Sequence, residues 1–259
     1  DAFDKGSYIK ILPKQKMIMG YTTKNSGGVP DNFKNYFVLE FDKEFDLTKT
    51  FSETTLSNVL EIESDHSGAV LGFKTEKDEI VNVKVASSFI SYEQAKLNLK
   101  EIGVLNFDAL KEKGKDAWNK ELSRIKVEGG TEDQAQTFYS CLYRSLLFPR
   151  KFYEYDKDGN VVHYSPYDGE VLPGYMYTDT GFWDTFRSLF PFLNLMYPKQ
   201  LGQMQEGLSN AYKESGWLPE WASPGLRNTM VGNNSASVVA EAYLKSGDAY
   251  DYDIENLYE

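Results

Sequence analysis

A change of period near residue 90 limits what this chain can fold into more than any other feature of its sequence. Before it, "NYFVLEF" (35–41) and "SGAVLGF" (67–73) are β-rich runs bounded by Gly, Asn and Asp. In "VNVKVASSF" (81–89), Val81, Val83, Val85, Ser87 and Phe89 alternate with Asn82, Lys84, Ala86 and Ser88. Period two marks a strand with one buried face. Several such short strands with turns between them point to a β-sandwich. After Ser91 the apolar residues recur at three and four spacing. "SYEQAKLNLKEI" and "NFDALKEKGKDAWNKELSRIKV" read as charged surface helices joining two domains. Strands first and helices after give an α+β, multidomain chain. Its expected parts are a sandwich portion over 1–90, a helical linker over 91–128 and a helical domain over 129–259.

The helical half carries its own punctuation. In "EGGTEDQ", Thr131 with Gln134 three residues on is a capping-box pattern. The helix it opens sets Phe138, Leu142 and Leu146 on one stripe and stops near Pro149. A long Tyr-, Gly- and Asp-rich connection follows (151–178), and connections of that length are often functional. Its "DKDGN" resembles a fragment of a calcium loop but lacks the remaining ligand positions, so it reads as a hairpin turn. Three helices are expected next: 181–196, ending before Pro198; 199–213, with Leu201, Met204, Leu208 and Tyr212 at helical spacing; and one from Asn234 to a Gly247 C-cap. Asn233, Asn234 and Ser235 compete as its N-cap. "DAYDYDIENLYE" then begins a further helix that the sequence does not finish, so the chain is expected to be a piece of a longer protein.

Composition excludes several functions. The net charge of −11 over 259 residues argues against nucleic acid and anionic membrane surfaces, which need clustered Lys and Arg. No apolar run approaches the roughly 20 residues of a membrane span. One cysteine, Cys141, rules out a disulfide framework, and its place in an apolar helical pattern predicts a buried, inert thiol. His66 and His163 have no ligand-spaced partners, so a His-based metal site is not expected.

Two aromatic stretches carry the chemistry. "YTDTGFWDTFRSLFPFLNLMYP" (177–198) places Trp183, Asp184 and Arg187 at a helix start, with Asp179 or Thr180 available as cap. Asp184 and Arg187 are three apart and Trp183 and Arg187 four, so they share a face. A carboxylate that accepts from vicinal hydroxyls, a guanidinium that donates and an indole that packs on pyranose C–H groups suit a sugar. An Asp–Arg pair beside a core Trp fits the same spacing. "ESGWLPEWASPG" (214–225) adds Trp217 and Trp221 with Glu220 in a Gly- and Pro-punctuated loop, again either a saccharide contact or a plug for a helical layer.

The order "VKVASSFISYEQAKLNL", "AWNKELSRIKVEGG", "FYSCLYRSLLFPR", "YTDTGFWDTFRSLFPFLNLMYP", "GWLPEWASPG", "MVGNNSASVVAEAYLKSG" resembles the glycoside hydrolase family 92 α-mannosidases of bacteria, collinearly from about residue 67 onward. The resemblance implies an N-terminal β-sandwich, helical linkers and the first helices of an (α/α)6 barrel. It implies exo-acting, calcium-dependent hydrolysis of α-mannosides with inversion, in a periplasmic, surface-exposed or secreted protein. The catalytic acid and base, and the calcium ligands, are then expected beyond residue 259, and residues 1–259 alone are expected to be inactive. Carried over, the "WDT" segment marks Trp183, Asp184 and Arg187 as contacts to the terminal mannose of a glycan, with Trp217 and Trp221 added from the second loop. Where family members commonly read "MVGDH", this chain has "MVGNN". Asn233 and Asn234 cannot titrate, which leaves open a non-catalytic, glycan-binding relative of the same fold.

Overall fold

The computed structural model describes residues 6–246 and 252–259. They pack as two compact units. The first comprises the residues up to Gly103 with Glu154–Asn160, the second Val104–Tyr153 with Val161–Glu259.

The first unit is built on eight strands: β1 (Ser7–Leu12), β2 (Met17–Thr22), β3 (Asn35–Phe41), β4 (Leu47–Ser52), β5 (Thr55–Ser57), β6 (Glu61–Ser64), β7 (Ser67–Gly72) and β8 (Val83–Ser88). They form a five-stranded sheet, β6-β1-β2-β3-β8, and a three-stranded sheet, β5-β4-β7. Ile9, Ile11 and Ile18 of the larger sheet are buried against Ala69 and Leu71 of the smaller one, with Phe37, Leu39, Phe41 and Phe45 beside them. Alternate residues of each strand thus face a shared apolar layer, the arrangement of a sandwich. On the outer face, helix α1 (Tyr92–Leu99) buries Ala95 and Leu99 over Val38 and Ala86. Ser91 caps that helix by accepting from Gln94 N. The 154–160 segment is held to this unit by the Glu154 carboxylate, which accepts from Ser88 Oγ, Phe89 N and Asn98 Nδ2.

The alternation of 83–88 is real, but its buried side is the opposite of the expected one. Val83 and Val85 are 47% and 53% exposed, whereas Ala86 and Ser88 lie under α1. The smaller sheet packs on the β1 and β6 side, so the valine face of the edge strand β8 has no cover.

Tyr8, Tyr21 and Tyr36 are cross-strand neighbours on the outer face, and Tyr92 of α1 closes the row. The first two rings stack at 5.4 Å. Tyr8 and Tyr21 donate to Glu61 and Glu63, each at 2.6 Å. Burial, followed by that hydrogen bond and the carboxylate charge, pushes the Tyr21 phenol up to about 12. Tyr8, Tyr36 and Tyr92 are raised by burial too.

The second unit contains α2 (Phe107–Leu122), α3 (Glu132–Ser145), α4 (Phe182–Thr185), α5 (Leu189–Met196), α6 (Pro198–Ser215), α7 (Asn234–Ser246) and α8 (Ile254–Tyr258). The Thr131–Gln134 capping box opens α3 as expected. Phe182, Phe190, Leu193, Leu201, Leu208, Val238, Val239 and Leu257 make one core across α4 to α8. Each such side chain contributes about 1.5–3 kcal/mol by leaving water. Gly216 ends α6 at φ 76°, a left-handed position that glycine takes without strain, and its N–H returns to Tyr212 O. Among the described residues the helices do not close into a barrel, and short strands of two to four residues interrupt the stretch from Arg150 to Ala222.

Two expectations need correcting. The single helix over 181–196 is two, α4 and α5. Pro191 is the reason: inside a continuous helix its ring would meet the carbonyl of Arg187 and it could not donate to it. The helix restarts at Leu189 so that Pro191 falls in a first turn, where no N–H is needed. Cys141 is exposed, not buried, because α3 buries Leu142 and turns its neighbour outward. The Gly247 C-cap lies outside the described residues. The "DKDGN" segment is a turn, as expected: the Asp156 carboxylate accepts from Asn160 Nδ2, Asn160 N and Asp158 N, which holds its pKa below the usual carboxylate range.

Candidate functional site

Structure joins the two aromatic stretches into one site. Thr180 and Gly181 pair antiparallel with Ala222 and Trp221. Thr178 Oγ1 donates to Pro224 O at 2.8 Å, Ser223 Oγ donates to Asp179 Oδ1 at 2.9 Å, and Phe182 N donates to Glu220 O at 3.0 Å. Residues 40 apart in sequence are thereby fixed side by side, directly ahead of α4.

Gly181 is the centre of this joint. A Cβ there would lie 2.9 Å from Asp184 Oδ2 and 3.4 Å from the Trp221 ring. The carboxylate and the indole therefore flank one point above the glycine backbone. Asp184 is exposed and Trp221 half-buried, so the pair faces solvent and is held from behind. Trp183 is 41% exposed. Arg187 falls in the break between α4 and α5. It donates from Nη1 to Trp183 O at 3.0 Å and lies over the Trp183 and Phe186 rings, 5.5 and 4.3 Å from their centroids. The hydrogen bonds and stacking seen for Arg187 thus go to the Trp183 backbone and to rings, where sequence spacing had allowed a pair with Asp184. Neither Asp179 nor Thr180 caps α4. Gly181 occupies the N-cap position without a side-chain bond, and Asp179 is ion-paired with Arg150.

Glu220 is not a free carboxylate. Its Oε2 accepts from Asn234 N (2.9 Å) and Asn234 Nδ2 (3.3 Å), and its Oε1 from Ser235 N (3.1 Å) and Ser235 Oγ (2.6 Å). A negative side chain from another loop thus caps α7, satisfying donors that a helix start leaves open and complementing its dipole. Asn234 is consumed by this contact, while Asn233 is exposed. Trp217 is 70% exposed and lines a separate cleft of about 550 Å³ with Arg227, Asn228 and Asn233. Trp217 and Trp221 are therefore not one feature: Trp221 belongs with Asp184, Trp217 with the cleft.

Two groups escaped sequence reasoning. In the sequence Gly181 marks only the start of a helix, whereas in the structure it is buried where any Cβ would meet Asp184 Oδ2 and the Trp221 ring. His163 is fully buried, with Nδ1 2.9 Å from Gly174 O and Nε2 2.9 Å from Glu214 Oε1. This inner pair braces the start of the 214–225 loop. Burial first, and the nearby Glu214 charge second, push the Tyr167 phenol well up beside it. Among the described residues no group of three or more His, Cys, Asp or Glu is placed to hold a metal ion. No described helix is long and apolar enough to cross a membrane.

An exposed carboxylate and a half-buried indole, packed over a buried glycine, are groups of the kind a carbohydrate site uses. The chain belongs to glycosyl hydrolase family 92: the family's N-terminal domain matches residues 2–88 and its catalytic domain residues 94–259. A family 92 inverting mannosidase from Bacteroides thetaiotaomicron is similar in structure, with a TM-score of 0.91 and 47% identity over 93% of this chain and 33% of that one. An α-mannosidase of the same family and organism, solved with mannoimidazole, gives 0.85 at 26% identity over 98% of this chain and 34% of its own. An uncharacterized secreted glycosidase of Arthroderma benhamiae is 29% identical over 181 residues, which are 67% of this chain and 19% of that protein. The chain thus spans about a third of these solved relatives and about a fifth of the curated one.

Proposed function

We propose that the chain is the sandwich and first helical portion of a secreted, exo-acting α-mannosidase, and that it holds the terminal mannose. The observation that carries this reading is that an exposed carboxylate, Asp184 Oδ2, and the half-buried Trp221 ring lie side by side over the buried Gly181. A carboxylate there accepts from two neighbouring hydroxyls, and an indole there receives the C–H face of the same ring. Trp183, its backbone tied to Arg187, borders the approach. Support for mannose comes from the two solved relatives, and support for export from the secreted one.

Inversion requires an acid and a base about 6.5–9.5 Å apart, leaving room for a water between base and sugar. No Asp or Glu of this chain is given either role. Asp184 binds and orients, Glu220 holds α7, and Glu214 pairs with His163. No part of the reading runs through a metal ion.

Asp184→Asn in the complete protein tests the proposal. A charged hydrogen bond of this kind is worth about 1.5–3 kcal/mol. Mannose binding or turnover should fall about tenfold or more, since about 1.4 kcal/mol is a factor of ten. Thermal stability should stay close to wild type, because Asp184 caps no helix. Lost stability with intact binding would show that Asp184 serves the fold instead.

A further inference from the structure

His163 joins two points that lie equally far ahead of the site. Its Nδ1 donates to Gly174 O at 2.9 Å, since a carbonyl can only accept, and its Nε2 lies 2.9 Å from Glu214 Oε1. Gly174 stands seven residues before Gly181, and Glu214 seven before Trp221. Gly181 and Trp221 are themselves partners in the antiparallel pair directly ahead of Asp184. The two chain segments that build the site are thus tied together twice, once by this strand pair and once by the imidazole behind it.

Helix α6 supplies the rest of the brace. Gln203, Glu206, Asn210 and Glu214 follow one another at three and four spacing and so share a face. That polar face is not given over to water; the first segment lies along it. Tyr177 OH donates to Gln203 Oε1 at 3.2 Å, Tyr175 N to Glu206 Oε1 at 3.2 Å, and Asn210 Nδ2 to Tyr175 O at 2.9 Å. Gly174, at φ 99°, runs so close that a Cβ would lie 2.7 Å from Asn210 Nδ2. The second segment is the continuation of the same helix through the left-handed Gly216. One helix therefore locates both segments, and the His163–Glu214 contact closes the arrangement at its end.

Stability alone does not call for this pair. The His163 and Glu214 side chains are 0% and 6% exposed, and Glu214 Oε2 is buried with no hydrogen-bond partner. An unpartnered buried carboxylate oxygen weakens a fold, and well-packed apolar residues of similar volume are often as stable or more so. What the pair supplies is direction, because two hydrogen bonds from one rigid ring fix the Gly174 and Glu214 backbones relative to each other. We propose that His163 and Glu214 are positioning residues of the terminal-mannose site. They hold Asp184 and Trp221 at the separation one sugar ring needs, and neither touches the sugar. The proposal rests on the mannosidase reading above.

The test uses the complete protein and the variants Glu214→Ala, Glu214→Asp and Glu214→Gln, assayed on 4-nitrophenyl α-mannoside well below each Tm and expressed per folded molecule. Glu214→Ala removes the tie to His163. Glu214→Asp keeps the charge but draws the carboxylate back by one methylene. Each should lower kcat/KM about ten- to a hundredfold, the scale of a misplacement by about 1 Å. Glu214→Gln can donate from its amide to His163 Nε2 and should recover to within about threefold of wild type. Unchanged kcat/KM in the folded Ala and Asp variants, with only Tm lowered, would make the pair a purely structural contact. Equal losses in Glu214→Gln would remove geometry as the cause. Both results overturn the proposal. If Glu214→Ala does not fold, Glu214→Asp against Glu214→Gln decides. If wild type turns over no mannoside, the mannosidase reading has failed, and amide hydrogen exchange on the same variants decides the brace. Phe182 N, which donates to Glu220 O, and residues 220–222 should then exchange faster in Glu214→Ala and Glu214→Asp, with Glu214→Gln and helix α3 at wild-type rates. Exchange unchanged in those segments, or raised equally in α3, overturns the proposal.

Discussion

Glu220→Ala should unfasten α7 without touching a sugar. Wild-type Glu220 accepts four hydrogen bonds, two from backbone N–H groups of the first turn and two from the Asn234 and Ser235 side chains. Ser235 is 2% exposed, so water cannot readily replace the lost acceptor. Removing a cap costs about 0.5–2 kcal/mol. Leaving a buried donor without its charged partner costs about 1–3 kcal/mol. These overlap, because the bonds share one carboxylate, and a total of about 2–4 kcal/mol follows. For a domain of 150–250 residues that corresponds to a Tm lowered by about 5–15 °C. Glu220→Gln should lose less, since one oxygen still accepts while the amide nitrogen faces donors. Differential scanning calorimetry and a denaturant midpoint on the same preparations measure this. The Phe182 N to Glu220 O bond is backbone and survives both changes. If Glu220 were instead a sugar ligand, Glu220→Ala would keep its Tm and lose glycan affinity. A Tm within about 1 °C of wild type, well under the shift a lost cap produces, would refute the capping argument.

Gly181→Ala should do the reverse. Gly181 has φ −105°, open to any residue, so alanine costs the backbone little and stability should change by less than about 0.5 kcal/mol. Its Cβ would displace the Asp184 carboxylate, lying 2.9 Å from it, and mannose binding should fall about tenfold or more by isothermal titration. The tyrosine row predicts an alkaline limit to stability. The folded state holds the Tyr21 proton to about 12, whereas an unfolded tyrosine loses it near 10.0. The contribution is whole below pH 10.0 and is lost as pH rises through about 12. Ultraviolet titration of tyrosinate should show a late-ionising group that Tyr21→Phe removes; an unchanged titration curve would contradict the burial and hydrogen bonding seen here.

Elements whose signals are local were legible in the sequence. The α3 capping box is complete within four residues, β3 coincides with "NYFVLEF", and α6 shows its apolar spacing along its whole length. Sheets before helices followed from period alone. What failed depended on partners remote in sequence. The face of β8 that is buried is decided by where α1 and the smaller sheet lie, and alternation cannot report that. The break before α5 was written in Pro191, but the aromatic run around it kept a helical spacing on both sides and masked the interruption.

The site shows the same division between residue type and residue role. Asp179, Asp184, Glu214 and Glu220 are four carboxylates within the two stretches that spacing and composition single out, and sequence alone does not show which of them folding supplies with donors. Their donors separate them. Asp179 meets Arg150 and Ser223, Glu214 meets His163, and Glu220 meets the first turn of α7. Each is engaged by a group that folding brings from elsewhere. Asp184 instead points its Oδ2 into the space above a glycine, beside an indole. A carboxylate already surrounded by protein donors has little left to offer a hydroxyl, because each acceptor bond made inside the fold is one fewer for a ligand. The sugar-binding role proposed for Asp184 rests on this difference in the direction of its carboxylate. The same counting predicts that Asp179→Asn and Glu220→Gln move stability first, and Asp184→Asn affinity first.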